Sequence, residues 1–148
     1  AKGAAFCDAQ GIPTDELVTA RLHDDMATLH FQVVCITHHS LEALNGMRSG
    51  EFVPPDYPQI DYAGLQAMTA ETLEALKGMN ADEVNALPGK SMVFKIGGNE
   101  IPFTVENFAL SFSLPNFYFH STTAYDILRA RGVDLGKRDF LGALKMGA

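Results

Sequence analysis

The sequence predicts a mainly α-helical protein: an antiparallel four-helix bundle with a β-hairpin inserted before its last, kinked helix. Three observations carry this reading. Apolar residues recur every three or four positions over two long internal segments, and period-two alternation occurs at one place, around Gly97-Gly98-Asn99. The chain has 148 residues, 47% apolar and 20% charged, which suits a single domain over 1–148 that folds around one core.

The elements follow in order. Residues 1–10 are alanine-rich and stop at Gly11-Ile12-Pro13, so they read as the last turns of a helix closed by glycine and proline. The chain starts at Ala1 without Met, and this first helix is therefore expected to be incomplete. Thr14 or Asp15 is suited to cap a short turn over 16–22. From Asp24 or Asp25 to about Asn45, the residues Met26, Leu29, Val33, Ile36 and Leu44 form one stripe, predicting a second helix.

Residues 46–58 hold three prolines and two glycines and are expected to form a loop that ends this helix. A third helix is predicted over 61–77 from Tyr62, Leu65, Met68 or Thr69, Thr72 and Leu76, with one further turn over 81–87. Residues 91–96 and 100–104 form the hairpin, because glycine and asparagine tolerate the positive φ that its turn requires. Thr104 caps the last helix, Pro115 is expected to kink it, and Gly132 ends it. Leu135, Phe140 and Leu141 of the tail are expected to pack back on the body, with Lys137 and Arg138 paired to acidic groups.

Charge excludes some partners. At net −7 with its 11 basic residues scattered, the chain repels phosphate backbones, so nucleic acid is not an expected partner. The apolar run around Phe31 to Ile36 is far shorter than the roughly 20 residues that span a bilayer. Cys7 and Cys35 form no CxxC pair and no Asn-x-Ser/Thr acceptor occurs, which favours a reducing, cytoplasmic setting.

The stretch Leu114-Pro-Asn-Phe-Tyr-Phe-His120, continued by Thr123-Ala-Tyr-x-Ile-Leu-Arg129 and Gly136-Lys-Arg-Asp-Phe-Leu-Gly142, resembles the bacterial and fungal family called domain of unknown function 1993. The hairpin from Phe94-Lys-Ile-Gly-Gly to Phe103 adds to the resemblance, and Ala20-Arg21-Leu22, Asp25-Met26 and Gln32-Val33 extend it over nearly the whole chain. The resemblance implies a DinB-like bundle, a fold shared by metal-dependent thiol transferases and isomerases and by many proteins of unknown activity. It implies a fold before it implies a reaction.

Metalloproteins of that superfamily place one histidine on the second helix and two, four residues apart, on the fourth. Here His120 has Ala124 four residues on, so the pair is broken and no resident metal or other cofactor is expected. His120 suits general acid/base work at its ordinary pKa of about 6.5. Asn116 and Thr123 share its helix face, Phe117 supplies an apolar wall, and Tyr125 is a proton-donor candidate. Of His30, His38 and His39 on the second helix, His38 or His39 is the better complement to His120, since adjacent residues point about 100° apart and one of them faces the pocket. Gln32 is expected to line that pocket or to bond His120 within the core. Cys35 is read as a small buried hydrophobe.

The leading expectation is a cofactor-independent enzyme of isomerase, cyclase or dehydratase type, acting on a small apolar molecule of the kind made in secondary metabolism. The alternatives are a non-catalytic small-molecule-binding or structural bundle and a metal-dependent DinB-like transferase. A homodimer through bundle faces fits any of them.

Overall fold

The computed structural model of the chain describes residues 1–144, 146 and 147. It is mainly helical, with one small three-stranded sheet. In order the elements are α1 (Lys2–Gln10), α2 (Asp15–Val18), α3 (Leu29–Thr37), a π-helical segment (His38–Glu42), α4 (Ala43–Ser49), β1 (Glu51–Phe52), α5 (Tyr62–Lys77), α6 (Ala81–Asn85), β2 (Ser91–Ile96), β3 (Asn99–Thr104), α7 (Val105–Phe108), a second π-helical segment (Ala109–Ser113), α8 (Leu114–Ala130) and α9 (Lys137–Leu141). No described helix is long and apolar enough to cross a membrane.

Local chemistry sets several boundaries. Gly11 takes φ +66 at the end of α1, where a left-handed residue lets its own N–H reach back to the helix. Asp61 caps α5 by accepting from the Gly64 N–H at 2.8 Å, and Thr104 caps α7 by accepting from the Asn107 N–H at 3.3 Å. The hairpin closes through Ile96 paired with Asn99, which makes Gly97 and Gly98 the two turn residues and puts Asn99 inside the strand.

Four expectations are corrected. The turn after Pro13 is only Asp15–Val18, because the Thr19 hydroxyl bonds the Asp15 carbonyl and the chain leaves the helix there. The second helix starts at Leu29, behind an extended Thr28, and not at Asp24 or Asp25. It also runs through Gly46 to Ser49, and Gly50 at φ +85 is its terminator. Gly46 serves close packing: a Cβ there would lie 2.9 Å from the Glu51 carbonyl oxygen and 3.1 Å from the Phe52 ring. That approach lets β1 form inside the expected loop, pairing parallel to β2 with Phe52 beside Phe94.

Ahead of Pro115 the disturbance takes the form of the π-helical segment Ala109–Ser113, one turn before the residue whose missing N–H and bulky ring spoil the regular ladder. In the tail, Val133 is the fully buried residue and Leu135 is half-buried, whereas Phe140 and Leu141 stay exposed. The ion pair there joins Lys2 to Asp139 at 2.8 Å, the reverse of the polarity expected for Lys137 and Arg138.

Among the described residues three apolar clusters hold the chain together, the smallest of them Val18, Val34 and Leu65. One joins the sheet to helices α4 and α7 through Met47, Phe52, Met92, Phe94 and Phe108. Another gathers Cys7, Leu17, Leu29, Ala124, Ile127 and Val133 from the opposite end. Helix α3 packs against both α5 and α8, so it is buried on more sides than a single stripe predicts: Val34 and Cys35 are buried, while Val33 and Ile36 are only partly covered.

Candidate functional site

His38, His39, His120, Gln32 and the two π-helical segments converge where α3 meets α8. In a π-helical turn the carbonyls no longer meet their usual donors, which leaves some free for side chains. The Ser113 hydroxyl uses one of them, donating to the His39 carbonyl at 3.1 Å and tying the second π segment to the first. Ser113 is largely buried and borders the cavity described below.

Gln32 fixes the state of His120. Its Nε2 donates to the Ala27 carbonyl at 3.1 Å, which leaves Oε1 to accept from His120 Nδ1 at 2.8 Å. An amide oxygen only accepts, so His120 carries its proton on Nδ1 when neutral, and Nε2 holds the lone pair. Burial pushes its pKa below the ordinary histidine value.

His39 lies beside it, with ring planes 14° apart and centroids 5.9 Å apart, and its other faces meet Phe52 and Phe112. Burial, then the neighbouring imidazoles of His38 and His120, lower its pKa to about 4, so it is neutral at pH 7. Its Nδ1 is buried without a hydrogen-bond partner.

His39 also lines a cavity of about 490 Å³, walled by Ala43, Met47, Leu87, Val105 and Leu114. That volume suits a small organic ligand. Glu106 is at the same cavity: its Oε1 accepts from the Gly89 N–H at 2.6 Å, while its Oε2 is the second buried polar atom without a partner. Its carboxyl is held below the usual range by its own backbone N–H and that of Gly89.

The expected site residues do not all gather here. Of the two candidates at 38 and 39, His39 reaches the cavity, while His38 Nε2 donates to the Val53 carbonyl at 2.8 Å and stacks on Phe52. His30 does a similar job, donating to the Pro58 carbonyl at 2.7 Å, so both residues pin the 53–58 segment to α3. His120 does not line the cavity; it stands behind His39 at 8% exposure, bonded to Gln32. Asn116 donates back to the Phe112 carbonyl at 2.7 Å, and Thr123 to the Phe119 carbonyl at 2.8 Å. Phe117 lines the cavity, but Tyr125 belongs to a neighbouring groove, edge-on to Phe140 at 5.9 Å.

Ser113, Ser40 and Glu106 escaped the sequence reading, although Pro115 marked the disturbed turn that exposes the first of them. Cys35 behaves as expected, its thiol pushed up to about 11 by burial.

These residues do not fit the metal of the superfamily's metalloproteins. Of the two imidazoles that site needs on the last helix only His120 is present, because Ala124 stands four residues on where the second would be. Among the described residues no group of three His, Cys, Asp or Glu side chains is arranged to hold a metal ion.

The helical arrangement with its small sheet is that of DinB-like proteins. The crystal structure of a DinB family member protein from Shewanella denitrificans superposes with a TM-score of 0.80 at 28% sequence identity, covering 99% of this chain and 83% of that one. The family model for the domain of unknown function DUF1993 matches residues 1–141, and the chain belongs to that family. No curated protein matches it.

Proposed function

We propose that this protein is a four-helix bundle of the DinB kind and that it takes a small, largely apolar molecule into the cavity beside His39. The observation that supports this is the position of His39, which borders the cavity and leaves a buried ring nitrogen without a partner. Unmet acceptors are tolerated more readily than unmet N–H donors, so the lone pair belongs on Nδ1 and the proton on Nε2. A neutral imidazole of this kind offers an N–H to a carbonyl or hydroxyl on the ligand.

The same reading extends to catalysis of isomerase, cyclase or dehydratase type, without a cofactor. His39 would polarise a substrate oxygen, and His120, with its proton pinned on Nδ1 by Gln32, would act as a positioning residue that keeps the His39 ring in place and neutral. A non-catalytic binding protein uses the same cavity, and turnover is what separates the two.

Binding is tested with the neutral fluorophore N-phenyl-1-naphthylamine. The expected result is one saturable site per chain, lost in Ala109→Trp, which fills the cavity, with circular dichroism unchanged. Wild-type protein that does not bind the probe, or a folded Ala109→Trp that binds it equally well, would refute the reading. For the catalytic extension, native mass spectrometry of wild type and His39→Gln detects any retained organic molecule, and NMR of the extracted molecule reads its structure, since an isomerisation leaves the mass unchanged. The variant is expected to hold an unconverted molecule where wild type holds a product of different structure.

A further inference from the structure

We infer that the outer face of α8 is the interface of a homodimer, with a second copy of this chain seated on it across a two-fold axis. From Asn107 to Tyr125 the sequence contains no Asp, Glu, Lys or Arg, in a chain where 20% of residues are charged. A solvent-facing helix normally places charges on its outer side, as α5 does with Glu71, Glu74 and Lys77.

The outer face of α8 and the turn before it carry two rows at helical spacing. One is Leu110, Leu114 and Tyr118, exposed by 69%, 42% and 58%. The other is Pro115, Phe119 and Thr122, with Phe119 exposed by 57%. Together the large side chains present roughly 400 Å² of contiguous apolar surface, the scale at which a patch on a single chain marks an interaction site. That is about half of what each partner contributes to a standard interface, and the flanking polar residues supply a rim.

Charge selects the occupant. Each chain carries net −7, so two copies repel through most of their surfaces. They approach best at a face without charge, and a patch with neither sign is self-complementary under two-fold symmetry, where each residue type meets the same set on the partner. The same net charge disfavours an anionic membrane or an acidic partner at this site.

The dimer also bears on the cavity. Leu110 and Leu114 both line it and remain exposed, so they form its rim. A partner helix laid along α8 covers that rim and shields the cavity from water. The dimer itself stands on the face of α8 and does not depend on what the cavity holds.

Light scattering after size exclusion tests the oligomer at micromolar concentration. Wild type is expected at twice the chain mass, and Tyr118→Glu and Phe119→Glu at the chain mass with unchanged circular dichroism, since neither side chain is buried. A monomeric wild type overturns the inference, whether or not the face then binds neutral lipid vesicles. So does a Tyr118→Glu, Phe119→Glu double variant that stays dimeric. As a check that does not rely on weakening the contact, Phe119→Cys near the middle of the patch is expected to cross-link to itself on mild oxidation, whereas Glu71→Cys on α5 is not. Equal cross-linking of the two would overturn the placement.

Discussion

Acid should destabilise this fold through His39, and the size of the effect follows from its surroundings. Its pKa falls to about 4 because burial and the two adjacent imidazoles oppose a positive charge. In the unfolded chain the same group returns to about 6.5. The unfolded state therefore binds a proton more readily, and stability falls as pH drops. There is no penalty above about pH 6.5; the loss reaches about 2 kcal/mol at pH 5 and about 3 kcal/mol at pH 4, and it levels off below that.

Burial also lowers the pKa values of His38 and His120, which add to the slope, while the Val53 carbonyl and then Glu42 partly offset the effect at His38. The assay is urea denaturation at half-unit steps from pH 7.5 to 4 for wild type and His39→Gln. Carboxylates elsewhere titrate alike in both proteins, so the difference between the curves reports His39 together with its coupling to His38 and His120. Wild type should lose about 2 kcal/mol more than the variant between pH 7 and pH 5. Parallel curves would show that His39 is solvated and charged in the folded state, and would remove the basis for treating it as a neutral hydrogen-bond donor.

Three other outcomes follow from the packing. Gly46→Ala, which improves helix propensity, should nevertheless destabilise by about 1–3 kcal/mol in thermal or urea melts, because the new Cβ meets the Glu51 carbonyl at 2.9 Å. Gln32→Leu strands the His120 Nδ1–H in the core and should cost about 2 kcal/mol, with the imidazole resonances of His120 shifted in heteronuclear NMR spectra. Phe108→Ala empties the centre of the cluster between sheet and helices, where Phe108 is 0% exposed, and should cost about 3–5 kcal/mol by chemical denaturation.

Much of the fold is legible in the residues alone, because local signals there are undisputed by distant contacts. Asp61 and Gly78 bracket α5, and Gly97-Gly98 sets a hairpin register that needs no information from elsewhere. The ends of α3 were not legible. Apolar spacing around Met26 mimics a helical stripe, but the Leu29 N–H bonds the Ala20 carbonyl and the preceding segment is drawn into a non-helical turn. Gly46 reads as a terminator on propensity grounds, yet its missing side chain is what admits Phe52.

For the site, the sequence by itself offered candidates with His38 and His39 still unseparated: these two, His120 and Gln32 are polar residues on helices with apolar interiors, and such residues need partners. It determined too that no HxxxH pair exists, since His120 is followed at four residues by Ala124. Only the tertiary structure decided which residue borders the cavity. The choice of His39 over His38 depends on how the π-helical segment turns the chain, and a π turn results from competition among carbonyls across two helices, which no local pattern encodes. Tyr125 left the group by helix geometry: five residues after His120 at about 100° each turn its side chain about 140° away, and the tertiary structure decides what lies there, the groove it shares with Phe140.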